Sequence, residues 1–137
     1  MPSLDTSASN LKTLSEKVPG DTPIQMLNLL RFNAHAEYPS GTDAHPCSGR
    51  EAYARYLRAV SDSMAAVGAH IRLQSRVLHT LIAPQGEQWD QVLVFEFPSL
   101  SAFFSLLEDE HYRAAAVHRT AALMDSRLVC TSEAPLH

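Results

Sequence analysis

Between Ile24 and Phe32 the chain reads Ile-Gln-Met-Leu-Asn-Leu-Leu-Arg-Phe, too continuously apolar for a strand wetted on one side. It predicts a strand covered on both faces. Ahead of it, Leu11, Leu14 and Val18 recur at helical spacing and stop at Pro19-Gly20-Asp21, which predicts a short helix strapped across the domain. Residues 1–10 are small and polar and are expected to fray. Residues 33–48, with Pro, Gly, Asp, Ser and Thr among them, predict a loop. Ser48 and Glu51 then form a Ser-x-x-Glu capping box, which satisfies two orphan amides at a helix start. Tyr53, Leu57, Val60, Met64 and Val67 follow as a buried stripe, and Gly68 is a natural stop.

Residues 70–83 alternate, with Ile71, Leu73, Val77 and Leu81 on one face and Arg72, Gln74 and Arg76 on the other. They predict a long strand, broken at Pro84-Gln85-Gly86. Val92–Phe97 predicts the next strand, and Pro98-Ser99 ends it and caps a helix whose apolar face is Leu100, Phe103, Phe104 and Leu107. Asp109 is expected to cap a second helical stretch through Met124, before a last short strand from Arg127 to Cys130. The order β-α-β-β-α-β is the α+β ferredoxin-like sandwich, a four-stranded antiparallel sheet, here with an extra N-terminal helix. Residues 1–22 are read as the N-terminal segment, 23–131 as the domain and 132–137 as a polar tail. With both helices on one side of the sheet, the two-sided apolarity of the first strand calls for a second cover. A twin subunit supplies it most economically, so a homodimer is expected.

Composition narrows the function classes. At 137 residues the chain suits one domain that buries a core without staples. A net charge of −4 and the lack of a basic run interleaved with aromatics argue against nucleic acid. No run approaches the roughly 18 apolar residues of a membrane span, and residues 1–20 hold no apolar signal core. Cys47 and Cys130 sit in unlike surroundings and are read as free thiols, so the expected location is the cytoplasm. The seven histidines are scattered without ligand spacing, and neither a P-loop nor a dinucleotide fingerprint occurs. No metal and no cofactor are expected.

Several stretches together resemble one family. They are Met26-Leu-Asn-Leu-Leu-Arg-Phe32, Tyr38-Pro-Ser-Gly41, Gly49-Arg-Glu-Ala-Tyr-Ala-Arg-Tyr56, Trp89-Asp90, Glu96-Phe-Pro-Ser99, Tyr112-Arg-Ala-Ala115, His118-Arg119 and Asp125-Ser-Arg-Leu128. In this order they resemble the domain-of-unknown-function 1330 family, within the dimeric α+β barrel superfamily. The resemblance implies a ferredoxin-like protomer whose sheet packs face to face with a partner's. That superfamily includes cofactor-independent monooxygenases, muconolactone-isomerase-like enzymes and chlorite-dismutase-like haem proteins, so the fold licenses no single reaction. One departure is Gly68-Ala69-His70, where family members often carry Gly-Gly-Arg.

The polar candidates each admit a structural reading. Asn28 interrupts an apolar strand, as a satisfied amide or as a pocket group for a substrate oxygen. Tyr53 and Tyr56 lie three apart on one helix, as packing or with a hydroxyl turned to a cavity. Trp89 reads as a lid over the core or as a stacking platform, and Asp90 as a turn acceptor or an arginine's partner. Tyr112 and Arg119 are seven apart and share a helix face. His118 suits a general base, and Arg119 suits a bidentate carboxylate clamp or a salt bridge to Asp125 or Glu96. The expected site takes His118 and Arg119 as catalytic and Asn28, Tyr53, Tyr56, Trp89 and Tyr112 as ligand-binding. It would serve a small aromatic or carboxylated molecule. Cofactor-free oxygenation or isomerisation would use His118 as base, with Asn28 and Arg119 steadying an oxyanion. The rival is a non-catalytic ligand-binding or stress-related dimer.

Overall fold

The computed structural model of the chain describes residues 3–42 and 44–133, so residues 1–2 and the end of the expected polar tail lie outside it. In chain order the elements are α1 (Ala8–Lys17), β1 (Ile24–Phe32), α2 (Gly49–Ala66), β2 (His70–Arg76), β3 (Gln91–Phe97), α3 (Leu100–Glu108), α4 (Glu110–Ala122) and β4 (Leu123–Thr131). The strands lie in the order β2-β3-β1-β4, and every neighbour is antiparallel. This is the ferredoxin-like sheet, with the two most apolar strands, β1 and β3, at its centre.

Pairing of Ile24 with Phe97, Met26 with Phe95 and Asn28 with Leu93 puts these residues on one face, which α2, α3 and α4 cover. The capping box starts α2. Ser48 Oγ accepts from the Glu51 amide at 3.0 Å, and Glu51 Oε1 accepts from the Ser48 amide at 3.2 Å. The helix buries Tyr53, Tyr56, Val60 and Met64. A side chain at Gly49 would collide with the carbonyl oxygens of Asn33 and Ala122, so glycine lets α2 begin directly against the end of α4. Gly68, at φ +79°, takes the left-handed turn that ends the helix. Asp109 separates α3 from α4 and caps the latter, accepting from the Tyr112 amide at 2.8 Å and from Ser63 Oγ at 2.8 Å.

Three local expectations are corrected. The second strand stops at Arg76 rather than running to residue 83. Its last partner is Gln91, and beyond that pair the Asp90 amide turns to the Leu30 carbonyl, so the alternating segment has no strand to join. Leu78, Leu81 and Ile82 are left almost fully exposed. The last helix ends at Ala122 rather than Met124. The carbonyls of Ala121 and Ala122 are taken by the amides of Glu37 and Asn33, which frees Leu123 to pair with Phe32 as the start of β4. The N-terminal residues are not frayed throughout: Ser3 and Leu4 are bonded to β4 and α4, and α1 begins at Ala8.

Part of the sheet's outer face is exposed among the described residues. The register lines up Leu73, Val94, Leu27 and Val129 in one apolar row across all four strands. Its ends, Leu73 and Val129, are 47% and 51% exposed. A polar row flanks it: His70, Glu96, Gln25 and Thr131. There Glu96 pairs with Arg72 at 2.6 Å and accepts from the Gln25 amide at 2.9 Å. No helix among the described residues is long and apolar enough to cross a membrane.

Candidate functional site

A cavity of about 200 Å³ opens between the sheet's inner face and the helices. Met26, Met64, Phe95, Phe97, Phe103 and Leu106 form its apolar walls. Asn28 sits in the sheet side, 5% exposed. Its Nδ2 donates to the Leu93 and Met26 carbonyls at 3.2 and 3.3 Å. Both amide protons are thereby spent, and no buried side-chain oxygen among the described residues lacks a partner. Asn28 Oδ1 is left as the hydrogen-bonding atom that this residue can offer to the cavity it lines.

Helix spacing brings the opposite wall together. Tyr53 and Tyr56 face inward from α2, with ring centroids 5.3 Å apart. Tyr112 and Arg119, two turns apart on α4, face the same way. Tyr56 donates to the Tyr112 hydroxyl at 2.9 Å. Burial pushes the Tyr53 and Tyr56 phenols well above their ordinary range, against the opposing pull of the Arg119 charge. Both tyrosines are therefore neutral hydrogen-bond donors rather than bases. Arg119 has no carboxylate within ion-pair distance among the described residues, and Asp125 and Glu96 are engaged by Arg127 and Arg72 instead. Its Nη1 donates to the Leu4 carbonyl at 2.5 Å.

The structure thus brings Asn28, Tyr53, Tyr56, Tyr112 and Arg119 to one cavity and leaves two candidates outside it. His118 turns about a hundred degrees away from Arg119 on the helix. Its Nδ1 stands 2.7 Å from the Tyr38 hydroxyl, which also accepts from Arg55 at 3.4 Å, and the contact pins the 33–48 loop to α4. Trp89 lies outside the cavity under the 77–90 loop. Its Nε1 donates to Glu87 at 3.3 Å, and the Arg127 guanidinium stands 5.0 Å from its ring. Asp90 accepts from the Phe32 amide at 2.8 Å, which is the turn-acceptor role. Leu4, Asp5 and Thr6 also line the cavity, and no periodicity in the sequence marks them. Among the described residues no three His, Cys, Asp or Glu side chains are grouped as metal ligands.

His118 has a measurable consequence. Burial first, then the charge of Arg55, lowers its pKa below the ordinary 6.5. The unfolded chain therefore takes up a proton near pH 6.5 that the folded chain refuses until lower pH. The stability His118 contributes is complete above 6.5 and falls away as pH drops below it. An NMR titration of the ring should give a midpoint under 6.5, with thermal stability starting to decline in that window. A midpoint at or above 6.5 would contradict this reading of the Tyr38 contact.

The profile of a domain of unknown function, DUF1330, matches residues 45–132, well over half of the chain. The chain belongs to the DUF1330 family. It is also similar to a protein of unknown function from Rhodopseudomonas palustris, at 33% identity and a TM-score of 0.88, over 99% of this chain and 100% of that one. The methylated form of that protein gives 34% identity and the same TM-score, over 98% and 96% of the two chains. A distant likeness, at 15% identity and a TM-score of 0.49, links 84% of this chain to all of a dimeric ferredoxin-like protein of unknown function from Bacteroides fragilis. No curated protein matches the sequence. The DUF1330 match spans α2 to β4, and so includes Tyr53, Tyr56, Tyr112 and Arg119.

Proposed function

We propose that this DUF1330 protein binds a small single-ring organic anion, a carboxylate or an enolate, and does so as a homodimer. The observation that carries the ligand reading is the convergence of Asn28, three tyrosines and Arg119 on one otherwise apolar cavity. Pockets for small molecules have this composition, apolar walls with a few placed polar groups. A dry cavity of about 150 Å³ accommodates benzene, so about 200 Å³ suits one ring with one or two polar substituents. Arg119 supplies a permanent charge, the tyrosine hydroxyls supply donors, and Asn28 Oδ1 accepts from a hydroxyl or amine on the ring.

Binding is favoured over proton abstraction by the position of His118, which faces Tyr38 and not the cavity. Among the described residues the only carboxylate on the cavity wall is Asp5, on the exposed N-terminal segment. A monooxygenase- or isomerase-like reaction there would rest on a substrate that ionises readily, with Arg119 and the phenols steadying the oxyanion. The homodimer reading rests on the open apolar row of the outer face, and the exposed Leu78, Leu81 and Ile82 add apolar surface on the same chain. Such a patch is unusual on a free monomer.

A thermal-shift series with benzoate, phenol and benzamide tests the ligand reading. At a hundredfold excess over Kd, a bound ligand raises the midpoint by roughly 8 °C in a chain of this size. Benzoate should act at the lowest concentration. A flat response to all three at millimolar concentration would remove the cavity's claim to be a binding site.

A further inference from the structure

The chain's own N-terminal segment forms part of the cavity's lining. Ser3 is tied to β4, where its amide donates to Asp125 Oδ1 at 2.8 Å and its carbonyl accepts from Ser126 Oγ. Ser7 is tied as the cap of α1, accepting from the Asn10 amide at 3.1 Å. Between these anchors Leu4, Asp5 and Thr6 line the cavity, and among the described residues their one side-chain tether is the bond from Arg119 to the Leu4 carbonyl. Leu4, Asp5, Thr6, Arg119 and Leu128 line the cavity, and the same five line a neighbouring hollow of about 290 Å³. Displacing three residues would remove wall that the two spaces share and widen the way into the cavity.

The tether itself is chemically provisional. A guanidinium is a planar fork of five donors, best matched by a carboxylate that takes two of them at once. Here it holds a neutral peptide oxygen, through one nitrogen. A carboxylate entering the cavity offers Arg119 a full negative charge and a second bond, and charge-assisted bonds are roughly twice as strong as neutral ones. Asp5, exposed on the segment, moves away from the arriving anion with it.

We infer that Ser3–Thr6 is a ligand-displaced gate, in which the Leu4 carbonyl occupies Arg119 until an anionic ring compound replaces it. The inference rests on the ligand reading above and adds how the ligand enters and why an anion is preferred. Closure and binding compete for one side chain, so weakening closure strengthens binding.

The test uses benzoate and its uncharged isostere benzamide with the full-length, isotopically labelled protein. Saturating benzoate should shift the Asn28 and Tyr56 signals and release the Leu4, Asp5 and Thr6 amides into fast motion, seen by heteronuclear relaxation. Benzamide at the same concentration should leave those three amides ordered. Ser126→Ala, which unties one anchor outside the cavity, should tighten benzoate binding about fivefold, the worth of one hydrogen bond. If benzoate shifts Asn28 and Tyr56 while the segment stays ordered and Ser126→Ala binds within twofold of the parent, the gate is overturned and the cavity reading stands. The anion exchange fails if benzamide releases the segment equally. Absence of any shift at Asn28 and Tyr56 with either probe sinks both readings together.

Discussion

Replacing Leu27 with aspartate should weaken the proposed homodimer by more than a hundredfold while leaving the protomer folded. Leu27 is at the centre of the outer face, paired with Val94 on one side and Val129 on the other. Leu27 is only half-buried among the described residues and lies outside the core cluster, so the carboxylate of Leu27→Asp reaches water in the single chain and the core is untouched. In a twofold dimer the same change appears twice, close to the symmetry axis, and desolvates two unpaired charges of like sign. Leaving one buried charge without a partner costs on the order of 3–5 kcal/mol, and here there are two. Sedimentation equilibrium should show dimer for the parent chain and protomer for Leu27→Asp, with unchanged circular dichroism. Equal masses for the two proteins would remove the outer face as the contact.

Arg119→Gln should weaken binding of a single-ring carboxylate on the order of fiftyfold, since hydrogen bonds to charged groups contribute about 1.5–3 kcal/mol. Two effects oppose each other in this variant. Glutamine can no longer hold the Leu4 carbonyl as tightly, which favours entry, but the ligand loses a charged, two-pronged partner. The second loss is larger because the cavity is largely apolar and a carboxylate without a counter-charge is poorly solvated there. Folding should change little, because Arg119 joins no salt bridge among the described residues. The loss should fall on carboxylates, and benzamide binding should move by no more than a few fold.

How much of this could be read beforehand differs from residue to residue. Asn28 stood out because one amide in an apolar strand must find partners, and its nitrogen is spent on the Met26 and Leu93 carbonyls at the wall of the cavity. The capping box placed α2, and with it Tyr53 and Tyr56, because that motif is local chemistry with one geometric solution. Tyr112 and Arg119 followed from helical period alone. His118 did not, since adjacent helical residues diverge and only the folded 33–48 loop shows that Tyr38 draws the imidazole away. The overlong second strand has the same origin. Alternation says which side chains share a face but not whether a neighbouring strand continues alongside, and β3 has already ended. Least legible was the N-terminal segment on the cavity wall. Leu4 and Ser3 find their partners 115 and 123 residues along the chain, and nothing local in a short polar run announces such contacts.

Calorimetric titration of benzoate into the full-length protein and into Arg119→Gln tests the proposed anion binding by the cavity most directly. The expected result is one saturable site per chain in the parent, with the dissociation constant raised on the order of fiftyfold in the variant. A parent protein that gives no saturable heat, or a variant that binds benzoate as tightly as the parent, would contradict it.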